Sequence, residues 1–259
     1  MILGVLRGLL VWMSITENVA EVRQRIAAAA SRVGRDPGEI TLMAVSKTFA
    51  PERIREAYAA GVRVFGENRV QEFSGKAEGL RDLPGAEWHM IGHLQTNKAS
   101  KAAELFTAID SLDSVRLADK LNASAQQLGK KLGALIEINV GEEAAKSGVP
   151  SGSPELEKFL LAARQLEHLQ VRGLMTIPPF TDDPQQARPY FRKLRELRDW
   201  IAARRLPNVS MNVLSMGMSH DFEIAIEEGS TCVRVGTAIF GERNKSEAQR
   251  TQRNTEAKL

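Results

Sequence analysis

At 259 residues, with 43% hydrophobic and 26% charged residues, the chain has the composition of a soluble globular protein with room for one large core. Thirty-five basic residues against 32 acidic ones leave a formal net charge of +3, too evenly balanced to mark a nucleic-acid-binding surface. The single cysteine, Cys232, excludes an internal disulfide and a cysteine-based zinc site and suits a reducing cytoplasm.

Residues 1–12 are apolar around Arg7. They are too short to cross a bilayer and lack the charged start, longer apolar core and cleavage site of a secretion signal. Ser14 and Glu17 have capping-box spacing, so the folded unit is expected to begin at residue 13, with 1–12 as an extension. Val19, Val22, Ile26, Ala29, Ala30 and Val33 recur at helical spacing up to Gly34. Residues 40–46 read as the first strand, and Pro51 and Gly61 bracket the helix after it. Further strands are expected over 62–65, 88–91, 105–109, 134–140, 171–175, 209–214 and 231–235, each followed by helical periodicity or its start. The polar stretch 244–259 forms a tail with little to bury. Eight β-then-α units predict an α/β fold, a single TIM-like (β/α)8 barrel over residues 13–243 with one helix ahead of its first strand. A doubly wound sheet is the rival, but Ser46-Lys47-Thr48-Phe49 stands where its glycine-rich turn would follow the first strand.

In such a barrel the strand C-termini carry the chemistry, with phosphate often held after the last two strands. The apolar run Leu42-Met43-Ala44-Val45-Ser46 ends on Lys47. Partial desolvation of an ammonium there lowers its pKa and supplies the free amine for a Schiff base with an aldehyde. The plainer alternative is a lysine whose head stays in water. After the seventh strand come Ser215-Met216-Gly217-Met218-Ser219, with Ser219 placed to cap a helix containing His220 and Asp221. After the eighth come Gly236 and Thr237. Small residues let backbone amides approach an anion, hydroxyls add donors, and a helix start adds partial positive charge. Arg234 interrupts the apolar Cys232-Val233-Arg234-Val235, and a buried guanidinium needs a partner, either a ligand or an internal carboxylate such as Glu67. A lysine, a phosphate cradle and an arginine able to face a pyridine nitrogen together fit pyridoxal 5′-phosphate (PLP).

Six segments carry a resemblance: Ala44-Val45-Ser46-Lys47; residues 65–72 with Gly66-Glu67-Asn68; residues 88–98 with Gly92-His93-Leu94-Gln95-Thr96-Asn97-Lys98; Gly173-Leu174-Met175-Thr176; residues 214–219; and residues 233–241 with Arg234-Val235-Gly236-Thr237. In that order, from about Ser14 to Arg243, the chain resembles the pyridoxal phosphate homeostasis protein family, related to the barrel of bacterial alanine racemase. The resemblance implies PLP bound covalently at Lys47 and phosphate contacts from Ser219, Gly236 and Thr237. It also implies Arg234 near the pyridine nitrogen and Asn68 beside the cofactor.

Whether bound PLP is used for chemistry is a separate question. An arginine at the ring nitrogen leaves that nitrogen unprotonated and the ring a poor electron sink. A racemase needs a second acid/base, and Tyr58 and Tyr190 both fall within helices. A cytoplasmic, monomeric PLP carrier that serves PLP-requiring apoenzymes, with no nucleic acid or membrane partner and no metal, is therefore expected. A PLP-dependent amino-acid racemase is the rival, with a cofactor-free Schiff-base aldolase behind it. His89 and His93 read as structural histidines, and Asp110 and Asp113 as helix caps with Ser111 and Ser114. The Met175-Thr176-Ile177-Pro178-Pro179 turn is expected to shape the mouth without chemistry. Lys146, in the loop 141–153, reads as a solvated lysine, with transfer of PLP to an acceptor as its alternative role.

Overall fold

The computed structural model describes residues 14–143 and 146–241; the expected extension 1–12 and tail 244–259 lie outside the described residues. The first helix, α1 (Ile15–Arg32), starts with the capping box: the Ser14 hydroxyl accepts the Glu17 amide proton, and the Glu17 carboxylate accepts from the Ser14 amide at 2.7 Å. Its Ile15, Val19, Val22, Ile26, Ala29 and Ala30 are buried, the stripe that the 3.6-residue period requires.

The strands are β1 (Thr41–Val45), β2 (Val64–Glu67), β3 (Glu87–Met90), β4 (Ala108–Leu112), β5 (Leu132–Asn139), β6 (Val149–Pro150), β7 (Leu169–Met175), β8 (Val209–Met218) and β9 (Cys232–Val235). Every pairing is parallel. The order β4-β3-β2-β1-β9-β8-β7-β5 closes on itself through β4 and β5. The eight-stranded α/β barrel predicted from the repeats is therefore present, with β6 added as a two-residue graft on β5. The helices between strands are α2 (Pro51–Ala59), α3 (Val70–Lys76), α4 (Ala99–Leu105), α5 (Val115–Gln127), α6 (Pro154–Ala163), α7 (Arg188–Ala203) and α8 (Phe222–Glu227), and α9 (Thr237–Phe240) follows β9.

Period-two alternation sorts each strand into two faces. Ala44, Phe65, Ile109, Ile136, Leu174, Leu214 and Val233 pack in the large core under the helices. Met43, Val45, Ile91 and Cys232 form a separate small cluster inside the barrel. Among the described residues no helix is long and apolar enough to cross a membrane.

Three elements depart from the pattern reading. The fourth strand runs over 108–112, three residues later than expected, because Leu105 completes α4 and the polar Asp110 and Ser111 are strand residues turned into partners in the sheet. Residues 215–218, expected as loop, continue β8, where Ser215 is paired to Cys232 and Met218 to Arg234. The loop 141–153 contains β6.

Candidate functional site

The sheet order β2-β1-β9-β8 sets four strand exits side by side. Lys47, Asn68, Ser219, Arg234, Gly236 and Thr237 all belong to these four strands or the turns that leave them. Lys47 is half-buried in the turn directly after β1. Register pairs Met43 with Arg234 and Ala44 with Val235, and the Val45 side chain lies 3.5 Å from where a Cβ on Gly236 would stand. Lys47 thus leaves its strand beside the turn that Gly236 begins.

The Lys47 turn is strained and clamped. Thr48 has φ of 67°, in the left-handed region that a β-branched residue rarely adopts. Its amide donates to the Glu72 carboxylate on α3. Glu67, wholly buried at the end of β2, accepts the Ser46 hydroxyl at 2.6 Å and pairs with Lys76 Nζ at 2.9 Å. Lys76, itself buried, donates to the Ser46 carbonyl at 3.0 Å and the Phe49 carbonyl at 3.4 Å. Burial pushes the Glu67 carboxyl up from the usual carboxylate range, against the pull of Lys76 and Ser46. Glu67 is therefore not the partner of Arg234. The pleat turns Glu67 outward with Phe65, toward α3, whereas Arg234 lies on the inward face with Cys232. Asn68 follows Glu67, half-buried, and its carbonyl presses so closely on Gly92 that a Cβ there would lie 2.4 Å away.

At the β8 and β9 exits, Ser219 does not cap α8, whose N-cap is Asp221. The Ser219 hydroxyl instead accepts the amide protons of Gly236 at 3.3 Å and Ala238 at 3.4 Å, both long bonds that a better acceptor would shorten. Thr237 opens α9 and is exposed. Gly217 has φ of 91° and no room for a side chain, since a Cβ would come within 2.5 Å of Ala225 and 2.8 Å of Phe222. Asp221 accepts the Met218 amide proton at 2.6 Å, and burial raises its carboxyl.

Arg234 is buried inside the barrel, donating to the Ser215 hydroxyl at 2.8 Å and the Thr176 carbonyl at 2.7 Å. Burial lowers its pKa, while the charges of Asp110, Asp221 and Glu137 favour the cation. Thr176 therefore does more than shape the mouth: its hydroxyl donates to the Ile138 carbonyl at 2.7 Å, which fixes the carbonyl that Arg234 uses. Glu137 accepts the Ser147 hydroxyl at 3.1 Å through Oε1, and its Oε2 is buried without a partner among the described residues. Burial raises this carboxyl too. The signal for Glu137 was available, because one carboxylate interrupts the apolar run Leu135-Ile136-Glu137-Ile138 just as Arg234 interrupts its own strand.

Between β3 and β4, His89 Nδ1 lies 3.1 Å from both carboxylate oxygens of Asp110. Burial alone would lower the imidazole, but Asp110 and Glu87 outweigh it and push it up to about 9. Asp110 is thus a buried strand partner and not a helix cap; Ser114 caps α5, and Asp113 faces His93 at 3.1 Å. Cys232 sits among these groups, its thiol pushed up to about 12 by burial and by Asp110. Lys146 is half-buried, paired with Glu143 at 2.6 Å. Two cavities lie elsewhere, one of about 410 Å³ at the N-terminal strand ends around Ile40 and Arg63, the other of about 750 Å³ beside Asn97 and Lys120 on α5. Neither includes the clustered strand-exit residues, and barrel chemistry belongs to the opposite end from the first.

This arrangement defines a class: a (β/α)8 barrel with a lysine after its first strand and an amide cradle after its last two. The family described as alanine racemase, N-terminal domain, matches residues 15–244. A pyridoxal phosphate homeostasis protein of Aquifex aeolicus is 50% identical over 232 residues, covering 89% of this chain and 99% of that one. One from Escherichia coli K12 is 43% identical over 235 residues, covering 90% and 98%. Among solved structures, PipY of Synechococcus elongatus with PLP bound is 38% identical with a TM-score of 0.77, covering 88% of this chain and 100% of that one. The chain belongs to the pyridoxal phosphate homeostasis protein family.

Proposed function

We propose that the chain binds PLP at the mouth of the barrel, holds it covalently as a Schiff base of Lys47, and keeps intracellular PLP available with little or no catalysis of its own. The observation that carries this reading is the side-by-side placement of the Lys47 turn and the Ser219–Gly236–Ala238 cradle on adjacent strand exits. The residues present fit the cofactor. The long Ser219 bonds leave two amide N–H groups and two hydroxyls, those of Ser219 and Thr237, available to a phosphate. A buried guanidinium already oriented by Ser215 and Thr176 suits the pyridine nitrogen, with Asn68 at the neighbouring exit. When bound, PLP supplies an aldehyde and a ring that can serve as an electron sink.

Arg234 bears on the absence of catalysis. A guanidinium stays charged, so it donates to the ring nitrogen and cannot keep a proton on it. The tyrosines offer no second acid/base: both stand on helices, and the Tyr58 hydroxyl donates to the Pro84 carbonyl at 2.8 Å. The reading extends to a cytoplasmic monomer that passes PLP to apoenzymes. Its test is the visible spectrum of the purified protein with added PLP, before and after borohydride, beside Lys47→Ala. Wild type is expected to gain a reducible visible band that the variant lacks; no uptake by wild type refutes the reading. Turnover of single amino-acid enantiomers at ordinary enzyme rates would replace the carrier with a racemase.

A further inference from the structure

A buried charged cluster lies outside the cradle, on the far side of β1 and β2 from the barrel interior. It comprises Lys76, Glu67, Glu72 and Ser46, and every one of these groups touches the Lys47 turn or a residue that does. Lys76 Nζ reaches the carbonyls of Ser46 and Phe49, which bracket Lys47 and Thr48 in sequence. The same nitrogen pairs with Glu67 at 2.9 Å and Glu72 at 3.4 Å. Glu67 holds the Ser46 hydroxyl, and Glu72 holds the Thr48 amide. A helix-surface lysine ordinarily keeps its head in water, and the desolvation of this one is offset only by that set of acceptors. Such a cluster is a costly way to fill a helix–sheet contact that leucines would fill, and what it constrains is a turn with a left-handed threonine.

We propose that Lys76 is a positioning residue for Lys47: its ammonium, neutralised by Glu67 and Glu72, fixes the turn that presents the Lys47 amine to an aldehyde. The inference deepens the PLP reading and rests on it. It concerns only the covalent half of binding, the condensation of the Lys47 amine with the aldehyde to form a C=N bond and release water. The phosphate cradle lies on β8 and β9 and shares no residue with the cluster.

The experiment titrates two ligands into the full chain: PLP, and pyridoxine 5′-phosphate, which has an alcohol in place of the aldehyde. The variants are K76M, the neutral pair E67Q/K76M, which leaves no buried Glu67 charge without its lysine, and E72Q. Affinity for PLP and the borohydride-fixed fraction are expected to fall by at least about tenfold in K76M and in the double variant, since about an ångström of misplacement can cost a hundredfold. Affinity for pyridoxine 5′-phosphate is expected to stay within about twofold, because phosphate binding by the amide cradle does not involve the turn. Amide exchange over residues 46–50 should accelerate in the same variants. E72Q should show a smaller loss for PLP alone. Unchanged PLP binding in the folded double variant overturns the proposal, and so does an equal loss for both ligands, which marks a purely structural role. Wild type that binds pyridoxine 5′-phosphate yet fixes no PLP, or binds neither, overturns the cofactor reading itself and the role of Lys76 with it.

Discussion

The exit of β1 and the exits of β8 and β9 are neighbours, yet they are held in opposite ways. At β1, buried charge clamps a strained turn: Lys76 joins two carbonyls and two carboxylates around Ser46–Phe49. At β8 and β9, glycines and one serine hydroxyl leave a loosely filled cradle whose hydrogen bonds are 3.3 and 3.4 Å long. The difference fits the two tasks proposed for these exits. A covalent anchor needs its nucleophile aimed before the ligand comes, whereas a phosphate site needs donors that surrender a weak partner for a strong one.

The contrast can be broken hardest at Lys76. Lys76→Met leaves Glu67 buried and unpaired, and a loss of about 3–5 kcal/mol in denaturant unfolding is expected, much of it recovered in E67Q/K76M. At the cradle, Gly217→Ala forces a Cβ into Ala225 at a positive φ, and about 3 kcal/mol of destabilisation is expected by the same measurement. The His89–Asp110 pair on β3 and β4 gives a pH signature. Its imidazole is raised from 6.5 to about 9, so the contribution is complete below pH 6.5 and is lost as the pH climbs through about 9. Urea unfolding at pH 6 and pH 9.5 should differ by up to about 3 kcal/mol in wild type beyond any difference seen in an H89N/D110N variant. Smallest is Ser219→Ala, expected to alter stability by less than about 1 kcal/mol while weakening a phosphate-bearing ligand by about tenfold.

The barrel was legible because its signals are local and repeated: Ser14 with Glu17, Pro51 with Gly61, and eight apolar runs at regular spacing. Lys47 and Arg234 stood out because each breaks or ends such a run. The partners were not legible, since pairing depends on which face of a strand a residue takes and on which strands meet. Arg234 and Glu67 looked complementary in sequence, yet the pleat puts them on opposite sides of the sheet. Asp110 looked like a cap because aspartate beside serine usually is one, and only the register of β3 with β4 sets it against His89. Ser219 was expected to cap the helix after β8, but α8 starts at Phe222 with Asp221 as its N-cap, and the Ser219 hydroxyl serves the next strand's turn. The Lys76 cluster gave no sequence signal at all, because a lysine in a short polar helix reads as solvated.

The lone thiol has a practical corollary. Cys232 is enclosed and held in its unreactive protonated form far above neutral pH. The natural chain is therefore close to silent toward maleimides and iodoacetamides. One cysteine introduced on the exposed loop tip at Phe180, beside the mouth, would accept a fluorophore at a single position and turn arrival and departure of a ligand into an optical trace.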